Sequence, residues 1–139
     1  MPDMAQSKLR NFLFYWLPLI VACLAIFIQS SHPGPERMPD VRFLDKLLHF
    51  GAYAVLGILF FRAYETLPLK NNCNLLIFIS IVSATLYGIS DEIHQYFVPF
   101  RHADMMDVVA NTLGSIFGVY VYYRLKARQK SPLPGNPAS

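Results

Sequence analysis

The chain has 139 residues, of which 54% are hydrophobic and only 15% charged, with a mean hydropathy of +0.34 and a net charge of +3. A soluble domain of this length needs more charge to cover its surface, so the composition excludes an ordinary water-soluble enzyme and points to a one-domain membrane protein. The two cysteines, Cys23 inside one apolar run and Cys73 at the edge of another, form no metal motif and are not expected to pair.

Residues 1–11 are a polar start with Lys8 and Arg10 just ahead of an uncharged run, Phe12 to Ile28, that is long enough to span a bilayer. This run reads as a retained helix rather than a signal peptide. Its apolar core exceeds a usual signal core, and IQSSHPGP is a poor cleavage site. Pro18 predicts a kink, which membrane helices tolerate. Gln29 to Leu44 reads as a loop. A second helix is expected from about Asp45 to Tyr64, followed by a short connection, Glu65 to Asn74. The third apolar segment starts at Leu75 and continues past Ile89 through Asp91 to Tyr96. Val98-Pro99-Phe100 makes a turn, and a fourth helix is expected from about Asp104 to Arg124. The remaining 125–139 read as a basic, then Pro-rich, disordered tail. The expected architecture is all-α: a bundle of four transmembrane helices over 12–124, with short loops.

Lysine and arginine counts set the expected orientation. Lys8, Arg10, Arg62, Lys70, Arg124, Lys126, Arg128 and Lys130 fall on one side, against Arg37, Arg42, Lys46 and Arg101 on the other. Eight against four predicts both termini in the cytoplasm. Glu36, Asp40, Asp45, Asp91, Glu92, Asp104, Asp107 and all four histidines then lie at the outer surface. Any chemistry is expected there. Nucleic acid is not an expected partner, because the basic residues face the inner leaflet, where anionic lipid is at hand.

The stretch Gly88 to Gly118 is apolar at its ends yet carries Asp91, Glu92, His94, Gln95, Arg101, His102, Asp104, Asp107 and Asn111 between them. On the second helix, Asp45, His49 and Tyr53 recur every four residues and share a face. On the third, Gly88, Asp91, Glu92 and Gln95 fall in one arc, with His94 at its edge. On the fourth, Asp107, Asn111, Gly114, Ser115 and Gly118 line one stripe. Polar groups in hydrocarbon turn inward, so the three faces are expected to meet in a cavity open to the outside. Gly114 and Gly118 read as ordinary close helix packing, with Gly88 in the same role opposite them.

Asp104 reads chiefly as a helix cap, and Asp45 could cap the second helix; Asp107, one turn from Asn111 on its stripe, fits a site better. His49 beside Asp45 suits a general base held by a carboxylate, or a hydrogen-bonded histidine that joins helices. Asp91 and Glu92 need a cation nearby; Arg101 is the natural one and could also hold an anionic ligand. Lys46 reads as an interfacial anchor. His49, Asp45, Glu92, His94 and Asp107 are conceivable metal ligands, but no metal motif is present and no metal is assigned. The sequence does not specify a cofactor.

Two motifs carry a resemblance. Asp45-Lys46-x-x-His49-Phe50-x-x-Tyr53-x-x-Leu56-Gly57 is the first. Asp91-Glu92-x-x-Gln95-x-Phe97-Val98-Pro99-x-Arg101, with Asp107-x-x-x-Asn111-x-x-Gly114-x-x-x-Gly118, is the second. Together they resemble the VanZ-like family of small bacterial membrane proteins. Phe100 stands where the family often has glycine, and Asp104 where serine is common. The resemblance implies an integral protein of the bacterial plasma or inner membrane, in a family named for a member associated with teicoplanin resistance. The motif positions carried over are Asp45, Lys46, His49, Tyr53, Asp91, Glu92, Gln95, Arg101, Asp107 and Asn111. The function expected is binding of, or action on, an envelope molecule such as a lipid headgroup or cell-wall precursor. In the enzymatic version His49, oriented by Asp45, is the base, Glu92 the acid or a metal ligand, and Asp91 and Asp107 complete the acidic set. Arg101, Gln95, Asn111, Tyr53 and Lys46 then bind ligand. The alternatives are a non-catalytic binding or structural module and a small proton-coupled transporter.

Overall fold

The computed structural model describes residues 4–33 and 42–130, without the side chains of Arg42, Lys70 and Lys130. The expected loop residues Glu36, Arg37 and Asp40, and the Pro-rich end of the tail, lie outside the described residues. Four helices long and apolar enough to cross a membrane follow one another: α1 (Met4–Ser31), α2 (Arg42–Tyr64), α3 (Cys73–Tyr96) and α4 (Met105–Lys130). No strand occurs among the described residues.

Pro18 shapes α1. Proline has no N–H to give the carbonyl four residues back, and its ring crowds that oxygen. The helix answers with a π turn over Phe12–Trp16 just ahead of it. The freed carbonyl, that of Phe14, accepts a hydrogen bond from Arg62 Nη2 of α2 at 3.4 Å. Trp16 Nε1 donates to Thr66 Oγ1 at 3.0 Å, so α1 is tied at this end to the α2–α3 connection. Between Leu17 and Ser31 only Leu19 and Ser30 are buried. Most of α1 is left for lipid.

The second helix begins at Arg42, three residues ahead of the expected start, which places Asp45 inside its first turn rather than at its cap. The third is capped by Asn72, whose side chain accepts from Leu75 N at 3.1 Å. Asp104 does cap α4, its Oδ1 accepting from Met106 N at 2.9 Å. The fourth helix runs to Lys130, beyond the expected Arg124. Lys126, Ala127, Arg128 and Gln129 are good helix formers, and Lys126 is held by Glu65 at 2.5 Å.

The packing axis is α2 on α4. Gly57 lies against the Ser115 backbone, Gly114 against the Phe50 carbonyl and Gly118 against the Ala54 carbonyl, each too close to admit a methyl group without a shift. This is a small-residue crossing that brings two backbones into contact. Gly88 also packs closely against the α4 stripe, but at Asn111 rather than opposite Gly114 and Gly118. It faces the side chains of Asn111 and Tyr53. Around and beyond the crossing the core forms two clusters, Tyr53, Leu56, Ala63, Leu19 and Ala84 in one, and Phe61, Leu76 and Val119 in the other.

Candidate functional site

The backbone contact of α2 with α4 sets the depth at which the motif faces meet. His49 is one helical turn above Tyr53 on α2, and Asn111 is one turn below Asp107 on α4. His49 Nδ1 lies 3.0 Å from Asn111 Oδ1, so Nδ1 carries the proton and donates it, and Asn111 is completely buried. Asn111, rather than Asp45, therefore orients the ring. Asp45 lies above it, with a carboxylate oxygen within 4.8 Å of His49 and Asp107.

Lys46 is more than an anchor. Its Nζ donates to Asp104 Oδ2 at 2.7 Å and to Asp107 Oδ1 at 3.0 Å, fastening the first turns of α2 and α4. The second carboxylate of the Asp104-x-x-Asp107 box is thereby taken by Lys46. The Asp104 N–H that it could have accepted goes instead to Glu92 Oε2 of α3, at 3.1 Å. Glu92 thus completes the cap of α4 from a neighbouring helix. Its other oxygen, Oε1, is buried without a hydrogen-bond partner, 3.9 Å from His49 Nδ1.

On the opposite face of α2 and α3 lies a cavity of about 300 Å³, walled by α1, α2, α3 and the turn that follows α3. Asp45, His49, Tyr53, Asp91, Gln95 and Arg101 line it. The other four residues carried by the family motif, Lys46, Glu92, Asp107 and Asn111, are packed behind it among α2, α3 and α4. The expected single meeting point is therefore divided into an open half against α1 and a filled half against α4. Glu92 also borders an apolar groove between α3 and α4, formed by Ile89, Ile93, Phe97, Met105 and Val108.

The first helix contributes more than apolar bulk. Gln29 and Ser30 line the cavity, and Gln95 Nε2 donates to Ser30 Oγ at 3.3 Å and to Asp91 Oδ2 at 3.2 Å. Arg101 donates from Nε to the His32 carbonyl and from Nη2 to the Gln29 carbonyl, both at 3.3 Å. Its charge sits at the carbonyl end of α1, where a cation stabilises the helix terminus. His94 leaves the acidic cluster. It stacks on Phe27 with ring centroids 4.7 Å apart and meets Ser31 Oγ at 2.9 Å, docking the same end of α1. Both Gln29 and Ser30 were read as loop, because polar residues closing an apolar run look the same whether the helix continues or stops. Their signal was position, within one turn of His32-Pro33, where the helix ends.

Phe100, in the turn that carries Arg101, has φ of 60°, in the left-handed region that favours glycine. A glycine at this position would adopt that backbone without strain.

A multi-pass helical membrane protein with a motif-bearing cavity at one end of the bundle is the class defined by these features. The family model described as VanZ/LLP1 matches residues 4–126, and the chain belongs to this family. No curated protein and no solved structure matched the chain.

Proposed function

We propose that the chain holds the polar headgroup of an envelope amphiphile, a lipid or a lipid-linked cell-wall precursor, in the cavity between α1, α2 and α3. The carrying observation is the composition of that cavity. Ala25, Ile26, Leu48 and Ala52 give apolar wall, while Asp45, His49, Asp91, Gln95 and Arg101 give polar wall within the same space. Such a division matches a molecule with one apolar and one polar part. Arg101 has five N–H donors and uses two on carbonyls of α1, so others remain for a phosphate or carboxylate. His49 donates a hydrogen bond from Nδ1 to Asn111 Oδ1, which leaves Nε2 as the ring nitrogen available to hydrogen-bond a bound group.

The basic residues support an outer placement of this cavity, with both termini in the cytoplasm of a bacterial plasma membrane. A contribution to teicoplanin resistance belongs to the same reading. Native mass spectrometry of the protein extracted from bacterial membranes tests it. A phosphate- or carboxylate-bearing lipid is expected to remain bound to the wild type. It is expected to be lost from Arg101→Ala and from a cavity-filling Ala25→Trp variant, with unfolding temperatures kept near wild type. Equal retention in all three proteins would sink the reading.

A second reading has its own support. The bonds of Lys46 to α4 and of Glu92 to Asp104 join three helices without reference to any ligand. A structural module predicts that His49→Ala lowers protein stability and activity in cells together, whereas a ligand site predicts loss of phenotype with stable protein.

A further inference from the structure

Asp91 and Glu92 are adjacent acids, each only 4–5% exposed, and their partners are almost all neutral. Asp91 Oδ2 accepts from the Gln95 amide, and Glu92 Oε2 from the Asp104 backbone N–H. The two nearby cations are engaged elsewhere, Lys46 with Asp104 and Asp107, Arg101 with the carbonyls of α1. Among the described residues no lysine or arginine lies within ion-pairing distance of either acid; His49 alone does, 3.9 Å from Glu92 Oε1. Two buried carboxylates without a matching cation are costly, and a positive centre between them and His49 would balance them.

The geometry supplies a place for one. A ring nitrogen of His49 and one carboxylate oxygen each from Asp91 and Glu92 lie within 4.8 Å of one another. Glu92 Oε1 is buried and unpartnered, and the buried hydroxyl of Tyr53 is turned to Asp91. An ion with bonds of about 2.0–2.2 Å spans a 3.9 Å gap between two ligands. Asn111 Oδ1, 3.0 Å from His49 Nδ1, is at the spacing of neighbouring ligands in a shell with bonds near 2.1 Å.

We propose that His49, Asp91 and Glu92, with the Asn111 carbonyl oxygen as a further ligand, form a site for a divalent cation at the junction of α2, α3 and α4. When the ion takes Nδ1, the imidazole proton moves to Nε2, on the same ring. One imidazole among oxygen donors, with no thiolate, suits Mn²⁺ or Zn²⁺. The site carries no contiguous motif because its ligands come from three helices. Headgroup binding is a separate matter, since the ion is read alone.

The test is Mn²⁺ and Zn²⁺ binding to the full chain in detergent after chelation, followed by Mn²⁺ electron paramagnetic resonance and by titration calorimetry. About one ion per chain is expected, with affinity weakened roughly tenfold or more in Glu92→Gln and in Asp91→Asn and unchanged in Glu65→Gln at the far end of the bundle. If both acidic-site variants fail to fold, the wild type decides: a rise in its unfolding temperature with added ion is expected. Failure of the wild type to bind either ion stoichiometrically, failure of that rise, or undiminished binding by Glu92→Gln overturns the proposal. Each result is obtained without lipid, so it leaves the headgroup reading to its own experiment.

Discussion

Gly114 on α4 rests directly on the carbonyl of Phe50 on α2, and a Cβ at that position would overlap the carbonyl oxygen. The obstruction is backbone, which cannot swing aside as a side chain can. Gly114→Ala is therefore expected to destabilise the bundle by about 1–3 kcal/mol through overpacking, and Gly118→Ala, against Ala54, likewise. Gly51→Ala is the contrasting case, with nothing within 4 Å of the added methyl. It is expected to be neutral or stabilising by up to about 1 kcal/mol. Unfolding in detergent followed by circular dichroism separates the two classes; equal losses at Gly51 and Gly114 would contradict the crossing described.

Phe100 occupies the left-handed region with its side chain largely exposed. A non-glycine residue there costs on the order of 1–2 kcal/mol, partly offset by the greater freedom glycine has in the unfolded chain. Phe100→Gly is expected to raise stability by about 0.5–1 kcal/mol, while Phe100→Val lowers it. The same unfolding measurement reads both, and a stabilising valine would show that the turn adopts another conformation.

Lys46 couples α2 to α4 through two carboxylates of unequal exposure, Asp104 at 46% and Asp107 at 6%. Its removal leaves the buried member without a charged partner. Lys46→Met is expected to cost about 1–3 kcal/mol, and Asp107→Asn added to it is expected to recover part of the loss. A double-mutant cycle on unfolding free energies measures the coupling. Strict additivity would mean that the pair contributes nothing beyond its separate parts.

Arg101→Ala removes two donors from the last turn of α1. Faster hydrogen exchange is expected over residues 27–32, with the exchange of α4 unchanged, and Arg101→Lys is expected to restore protection only partly because it lacks the planar fork. Unaltered exchange in Arg101→Ala would show that His94 and Ser31 hold this end of α1 unaided.

Four helices were legible because each apolar run is long and nearly uncharged, and the inward faces of three of them because polar residues recur every three or four positions. The existence of a polar cluster at one end followed from the same spacing. Its division into a cavity and a packed half did not. That depends on which side of α2 the glycine-mediated contact with α4 takes up, a consequence of two glycines meeting Phe50 and Ala54. Nor could Arg101 be matched to its acceptors, since backbone carbonyls leave no trace in composition. Asn111 in place of Asp45 as the partner of His49 was hidden for a related reason: neighbours along a helix are visible in sequence, while neighbours across two helices are not. The π turn in α1 belongs to the same group, although Pro18 did signal a disturbance there.

His102 and Ala103 are the only residues between Arg101 and Asp104. Arg101 grips the end of α1, while the Asp104 N–H holds one oxygen of Glu92. The segment is therefore a short linkage with one end on the α1 wall of the cavity and the other on a buried acid behind it. An outward displacement of α1 would pull on that linkage and on the bond from Asp104 to Glu92. The wall of the cavity and the buried acid are thereby joined through one short stretch of chain.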